Sequence, residues 1–296
     1  MARATINFLI LSVVAFILAA CASGQLSPGE TANWLQQTEQ QAVADGVSET
    51  TVHEALDNFI PNPHVVELDK KQPETTITFA AYRHNVVTPA RIQKGAEIMQ
   101  QYAGELSTAE QRTGVPAEII VALWGIESSF GQNMGNYETV NSLATLAFEG
   151  RRAAFFRSEL FASLHILDQQ HMHARDLHGS WAGAMGQCQF MPSTYLKFAV
   201  DGDGDGRIDI WNDPADVIAS IANYLAAEGW QRGMGWGQQI KDNEIGEVPP
   251  TALMQPDGVD GATFVTTDNI RAIMRWNHST YFALSVGLLA DGVKGD

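Results

Sequence analysis

The chain has 296 residues, of which 45% are hydrophobic, and it contains seven Trp and thirteen Phe. This composition is typical of a globular protein with a large core in one or two domains, and it excludes a disordered chain. The formal net charge of −16, together with the absence of any basic run, excludes a nucleic-acid-binding surface.

The first 22 residues have the pattern of an export signal. Arg3 supplies a positive charge, and the mostly apolar stretch 6–20 is too short and too interrupted to span a membrane. The Leu-Ala-Ala-Cys sequence at 18–21 resembles a bacterial lipobox, in which cleavage before Cys21 leaves that Cys to be acylated. The alternative is an ordinary signal peptide cleaved after Ala22. We favour the lipoprotein; either alternative predicts a periplasmic or cell-envelope protein, and acylation would anchor it to the outer membrane.

Helical patterns dominate the rest of the chain. One is predicted over residues 32–59, and another begins at Pro89 behind a capping Thr88 and continues to about residue 113. Between them, residues 65–78 are mixed, with a short extended piece near 75–79. Further helices are predicted at 141–148, 151–170, 192–199, 214–228, 268–276 and 281–290. Residues 242–264 are irregular with short strands, so the predicted fold class is mainly α (α+β).

The helix that begins near Pro116 is apolar nearly all round, which predicts that it lies in the core. It ends in Glu127, directly after the apolar run 119–126. Burial disfavours the charged form of a carboxyl group and raises its pKa, so a buried Glu127 could stay protonated and act as a general acid near neutral pH. The alternative is a Glu at a helix end that points into water.

A second informative stretch is rich in glycine and covers residues 179–195. Glycine permits positive φ and a close approach of the backbone to a ligand. Ser180 and Gln189 offer neutral hydrogen-bonding groups of the kind that recognise hydroxyl and acetamido groups. The alternative is a Gly-rich connection between helices.

Together the two stretches resemble the MltB-like family of bacterial lytic murein transglycosylases. The resemblance covers most of the mature chain and is carried by residues 115–131, by Gly183-Ala184-Met185-Gly186 with 189–193, and by shorter matches at 82–83, 87–89, 151–152, 222–224 and 277–279. It implies a transglycosylase domain over 23–296 that contains a lysozyme-like core at about 115–237.

The resemblance implies that Glu127 is the single catalytic acid and base. It would protonate the glycosidic oxygen between N-acetylmuramic acid and N-acetylglucosamine, and then accept the proton of the C6 hydroxyl as a 1,6-anhydro sugar forms. Peptidoglycan glycan strands would be the substrate, and no cofactor would take part. Two alternatives remain: a hydrolytic muramidase, which would need a second carboxylate or a positioned water, and an inactive peptidoglycan-binding scaffold.

The same resemblance implies residues that contact the sugar or orient Glu127, namely Tyr82, Ser180, Gln189, Tyr224 and Asn277. Plain core packing is the alternative for Tyr224, and a helix cap is the alternative for Asn277. Arg152 would pair with lactyl or peptide carboxylates, unless it forms a salt bridge at the start of its helix. Trp276 stands where the family carries a Tyr, so the ring is kept and the hydroxyl is lost.

The acidic loop 201–213 resembles the start of an EF-hand, with Asp at positions 1, 3 and 5 and Gly at position 6. Position 12 is Asn212 instead of the usual bidentate Glu. The family carries a longer EF-hand-like loop whose last acidic ligand matches Asp216. The predicted structural Ca²⁺ therefore has as ligands Asp201, Asp203, Asp205, the Arg207 carbonyl oxygen and Asp216. The alternative is a Gly/Asp turn without metal.

Overall fold

The computed structural model describes residues 28–71, 77–241, 245–246 and 248–295. The predicted export signal, Cys21 and residues 75–76 of the predicted extended piece lie outside these residues. Within them the fold is mainly helical, as predicted, with thirteen α-helices and five short strands. No helix in these ranges is long and apolar enough to cross a membrane.

The helices up to Glu127 occupy most of the first half of the described chain. They are α1 Pro28–Ala44, α2 Glu49–Leu56, α3 Pro63–Lys70, α4 Phe79–Val86, α5 Pro89–Gln101, α6 Ala103–Thr113 and α7 Ala117–Ser128. The later helices are α8 Thr139–Glu149, α9 Ala153–Gln170, α10 Pro192–Phe198, α11 Pro214–Ala227, α12 Asn269–Trp276 and α13 Thr280–Lys294.

Two predicted helices are each divided in the structure. The pattern over 32–59 forms α1 and α2 because Gly46 adopts φ 100°, which ends the first helix. The pattern that begins at Pro89 divides at Tyr102 into α5 and α6. The mixed region 65–78 holds most of α3, which begins at Pro63 behind the side-chain cap Asn62. The extended piece predicted near 75–79 is wrong over residues 77–79, because Thr78 caps α4 and Phe79 is the first residue of that helix.

The strands form two small antiparallel sheets. β1 Tyr137–Glu138 pairs with β2 His178–Gly179, which leads directly into the glycine-rich stretch. The second sheet has the order β3-β5-β4, and its strands are β3 Gly237–Ile240, β4 Leu253–Met254 and β5 Thr263–Thr266. This sheet is the small β part that the sequence predicted.

Helix α7 lies at the centre of the core. It packs against α5, α6, α11 and α13, which explains why its sequence is apolar nearly all round. Every residue from Ile119 to Gly125 is buried. The packing around α7 therefore fixes the position of its last turn, which carries Glu127.

Candidate active site

Glu127 lies in the last turn of α7 and is partly exposed, so its carboxyl group is held by the core and can still meet a ligand. The backbone turns sharply after it, because Ser129 and Phe130 adopt φ 52° and 58°. Burial raises the pKa of Glu127 to about 7, against the opposing effect of one hydrogen bond. Both the protonated and the ionised form of the group are therefore accessible near neutral pH.

That hydrogen bond comes from Trp276, at the end of α12. Its indole Nε1 donates to Oε1 of Glu127 at 2.7 Å. The indole packs against the rings of Phe190 and Tyr224, with centroid distances of 5.1 and 4.7 Å. The phenol hydroxyl of the family's Tyr is absent at this position, and the indole N–H supplies a hydrogen bond to Glu127 that the sequence did not predict.

Tyr82 on α4 lies close enough to Glu127 to feel its charge. Burial and the nearby Glu127 carboxylate both raise the pKa of the Tyr82 phenol, and Arg91 opposes them. The ring is partly exposed and packs against Tyr281 at a centroid distance of 5.9 Å. The structure thus brings Tyr82 near Glu127.

The glycine-rich stretch folds back on itself immediately after β2. Ser180 donates its backbone N–H to the carbonyl of Ala184 at 2.7 Å, and its Oγ accepts the Ala184 N–H at 3.0 Å. Gln189 adopts φ 51°, and its Nε2 donates to the carbonyls of Met134 and Gly186 at 3.1 and 2.8 Å. Among the described residues nothing donates to Gln189 Oε1, so this oxygen is free to accept a hydrogen bond from a ligand.

Gln187 is a structural residue that the sequence analysis missed. Its Oε1 accepts the indole N–H of Trp124 on α7 at 2.9 Å, and its Nε2 donates to the Trp211 carbonyl at 2.8 Å. Gly131 must lack a side chain here, because a Cβ would lie 2.4 Å from Gln187 Oε1. The buried amide therefore joins the glycine-rich stretch to α7 and to the acidic loop.

Tyr224 is buried in an aromatic cluster behind Trp276. Its ring lies 4.7 Å from the rings of both Phe198 and Trp276, and burial raises its pKa to about 12. Asn277 is exposed and caps α12, with its Oδ1 accepting the backbone N–H of Ser279 at 3.1 Å. Tyr224 therefore belongs to the wall that holds Trp276, and Asn277 follows Trp276 directly in the chain.

Arg152 lies at the start of α9 and is exposed. Its guanidinium group sits over the rings of Phe155 and Phe156, 5.1 and 5.0 Å from their centroids. No salt bridge in the described part of the chain involves Arg152; the neighbouring Arg151 instead pairs with Asp69. The structure does not bring Arg152 together with the other predicted site residues.

The acidic loop brings its carboxylates together in two overlapping groups. Ligand oxygens of Asp201, Asp203 and Asp205 lie within 4.8 Å of one another, and so do those of Asp203, Asp213 and Asp216. Oxygens bound to one Ca²⁺ at 2.3–2.6 Å are separated by no more than about 5 Å. The loop geometry therefore fits a calcium ion, and it adds Asp213 to the predicted ligands.

Backbone N–H groups of the loop also donate hydrogen bonds to two of its carboxylates. Asp201 accepts the backbone N–H groups of Gly204 and Gly206 at 2.6 and 2.9 Å, which lowers its pKa. Asp216 is buried and accepts the N–H groups of Gly202 and Asp209 at 2.7 and 2.6 Å, while its burial raises its pKa. These bonds fix the carboxylates in place before any ion binds.

Comparisons with known proteins agree on one family. A protein-family model described as the transglycosylase SLT domain matches residues 30–247 and 241–291. Membrane-bound lytic murein transglycosylase B of Escherichia coli (strain K12) is 34% identical over 262 residues, which cover 76% of this chain and 72% of that protein.

Two solved structures show the same architecture. SltB3 from Pseudomonas aeruginosa in complex with NAG-anhNAM-pentapeptide matches with a TM-score of 0.83 and 39% identity, over 90% of this chain and 80% of that chain. The Escherichia coli lytic transglycosylase SLT35 in complex with calcium matches with a TM-score of 0.75 and 32% identity, over 88% of this chain and 92% of that chain.

Proposed function

The chain belongs to the transglycosylase SLT domain family, and we propose that Glu127 is the single acid and base of its reaction. Its fold is the lysozyme-like, mainly α fold of the lytic transglycosylases. The protein is a peptidoglycan lytic transglycosylase. It cleaves the β-1,4 bond between N-acetylmuramic acid and N-acetylglucosamine and leaves 1,6-anhydromuramic acid ends.

The observation that supports the role of Glu127 is its electrostatic setting. Only burial and the Trp276 hydrogen bond shift its pKa, and no carboxylate of the described residues contributes. Ordinary glycosidases use two carboxyl groups that flank the scissile bond. A lone carboxyl group with a pKa of about 7 suits a reaction in which one residue first donates a proton and then accepts one.

The proton is accounted for in both steps. Protonated Glu127 gives its proton to the glycosidic oxygen as the bond to C1 breaks, and the acetamido group of the sugar stabilises the positive charge at C1. The resulting carboxylate is stabilised by the N–H of Trp276. It then accepts the proton of the C6 hydroxyl as that oxygen bonds to C1, which restores the acid without consuming water.

The remaining site residues are proposed to bind and orient the substrate. Tyr82, Ser180 and Gln189 contact the sugar near Glu127, and the free Oε1 of Gln189 accepts from a hydroxyl or acetamido N–H. Asn277 contacts the sugar at the exposed edge beside Trp276. Tyr224 orients Glu127 indirectly, because it packs against the indole that donates to Glu127. For Arg152, pairing with a lactyl or peptide carboxylate stays a prediction.

Digestion of purified sacculi tests the function through the masses of the products. We expect the mature chain to release muropeptides that are lighter by one water than the corresponding reducing-end products. Reducing ends would instead identify a hydrolytic muramidase. Binding to sacculi with no fall in turbidity would identify an inactive scaffold.

The acidic loop is proposed to bind a structural Ca²⁺. Its ligands would be Asp201, Asp203, Asp205, the Arg207 carbonyl oxygen and Asp216, with Asp213 as an additional ligand from the same cluster. A relative in this family has been solved with calcium. An oxygen-bound ion here would hold the loop together and, through Trp211 and Gln187, support the glycine-rich stretch; no step of the reaction requires it.

The protein is also proposed to be exported and anchored in the cell envelope through an acylated Cys21. The supporting observations are the lipobox-like sequence at 18–21 and a relative that is named as membrane-bound. Metabolic labelling with an alkyne fatty acid should label the full-length protein, and Cys21→Ser should remove both the label and the membrane association. An unlabelled wild-type protein in the soluble periplasmic fraction would contradict the anchor.

A further inference from the structure

We propose that Trp276 is a positioning residue that gives the two oxygens of Glu127 different tasks, so that Oε2 carries the proton in both steps and Oε1 never does. The proposal rests on the proposed role of Glu127 as acid and base. It extends that role from the residue to a single atom.

The direction of the hydrogen bond carries the argument. The Nε1–Oε1 distance of 2.7 Å is that of a strong, charge-assisted bond. An indole nitrogen can only donate, because it has no lone pair available to accept a proton. In a neutral carboxyl group the carbonyl oxygen is a better hydrogen-bond acceptor than the hydroxyl oxygen, so the indole N–H favours Oε1 as the carbonyl oxygen and Oε2 as the oxygen that holds the proton. In both protonation states Oε1 remains the acceptor of the indole N–H.

The rings around Trp276 keep its N–H directed at Oε1. Phe190 lies 5.1 Å from the indole, and Tyr224 meets it edge to face at 4.7 Å with an interplanar angle of 66°. Tyr224 is itself packed against Phe198 at 4.7 Å. Turning the indole toward Oε2 would break these aromatic contacts, which favour this offset and edge-to-face geometry.

This arrangement restricts where the substrate atoms can lie. The proton leaves Oε2 for the glycosidic oxygen, and the proton of the C6 hydroxyl must return to the same atom. The glycosidic oxygen and O6 therefore have to approach the same position, one after the other. Because Trp276 cannot accept a proton, it does not compete for either proton and only stabilises the carboxylate between the two steps.

The test is the pH profile of Trp276→Phe, which keeps an aromatic ring and removes the N–H. The hydrogen bond lowers the pKa of Glu127, so its loss should raise that pKa above about 7. The basic limb of kcat/KM should then move up by about one pH unit, and kcat should fall about 10- to 100-fold with KM little changed. A basic limb that stays at the wild-type pH would overturn the proposal.

A matched control is Trp236→Phe. The Trp236 indole also donates to a carboxylate, Asp291 Oδ1 at 3.0 Å, and it packs against Gly287 of α13 and makes no hydrogen bond to Glu127. This change should alter the melting temperature and leave the basic limb in place. A limb that moved equally in both variants would refute a specific role for Trp276.

A second variant tests the proposal if Trp276→Phe does not fold. Site-specific replacement of Trp276 by β-(3-benzothienyl)alanine keeps the shape and exchanges the N–H for sulfur. The same shift of the basic limb is expected, and its absence would again reject the proposal. A wild-type protein that forms no anhydro products would instead refute the proposed function, so the two failures are distinguishable.

Discussion

Replacing Glu127 by Gln should lower the formation of anhydromuropeptides from purified sacculi by about 10²–10⁴-fold, the usual contribution of a general acid–base group. Gln has the same shape, and its oxygen can still accept the Trp276 N–H. It has no acidic proton to donate and cannot accept the proton of the C6 hydroxyl, so both steps are lost. Full activity in the purified variant would refute the role of Glu127.

The pH dependence of the melting temperature shows whether the same variant is folded. Burial raises the pKa of Glu127 from 4.5 to about 7, so the native state holds a proton that the unfolded chain releases in this window. The stability of the wild type therefore falls as pH rises from about 4.5 through 7, by about 3 kcal/mol at most. Gln does not titrate, so Glu127→Gln should melt above the wild type at pH 8 and approach it at pH 5. Glu105→Gln, the same substitution at an exposed position, serves as the control.

The position of Glu127 was predictable because it depends on local sequence. An apolar run that covers all faces of a helix must be buried, and the carboxyl group that follows it is carried to the edge of the core. The division between α1 and α2 at Gly46 could also have been predicted, since a glycine commonly ends the helix that precedes it. The break at Tyr102 could not, because the nearby Gly104 lies inside α6 and does not adopt a positive φ.

The hydrogen bond from Trp276 could not be found in the sequence. It joins residues 149 positions apart, and their meeting depends on how α12 packs beside α7. Gln187 and Gln189 show the same limit at short range. The two amides are two residues apart and chemically identical, yet one is buried between Trp124 and Trp211 while the other keeps an acceptor free. Only the fold distinguishes a buried structural amide from one whose oxygen can still accept a hydrogen bond.

Calcium should raise the melting temperature of the metal-depleted protein. Exported calcium-binding modules have Kd values of about 10⁻⁴–10⁻³ M, so 10 mM calcium should add about 1.5–3 kcal/mol of stability. For a domain of this size that corresponds to about 3–10 °C. Magnesium at the same concentration should give a smaller shift, because it requires a tighter octahedral shell and retains its waters.

The choice of variant decides whether this experiment is clear. Asp216 is buried and satisfies two backbone N–H groups, so its removal would destabilise the loop with or without an ion. Asp203 and Asp205 are exposed, and each accepts only one backbone N–H of the loop. Asp203→Ala with Asp205→Ala should therefore fold like the wild type and lose the calcium shift.

Glu49→Ala with Asp260→Ala removes the same charge from exposed positions outside the loop and should keep the full shift. This control separates a specific site from general screening of the −16 net charge, which any divalent cation would provide. Equal shifts in the two double variants would show that calcium acts by screening. A wild-type melting curve that does not respond to calcium would rule out a stabilising ion in the loop, and the carboxylates would then form a hydrogen-bonded turn alone.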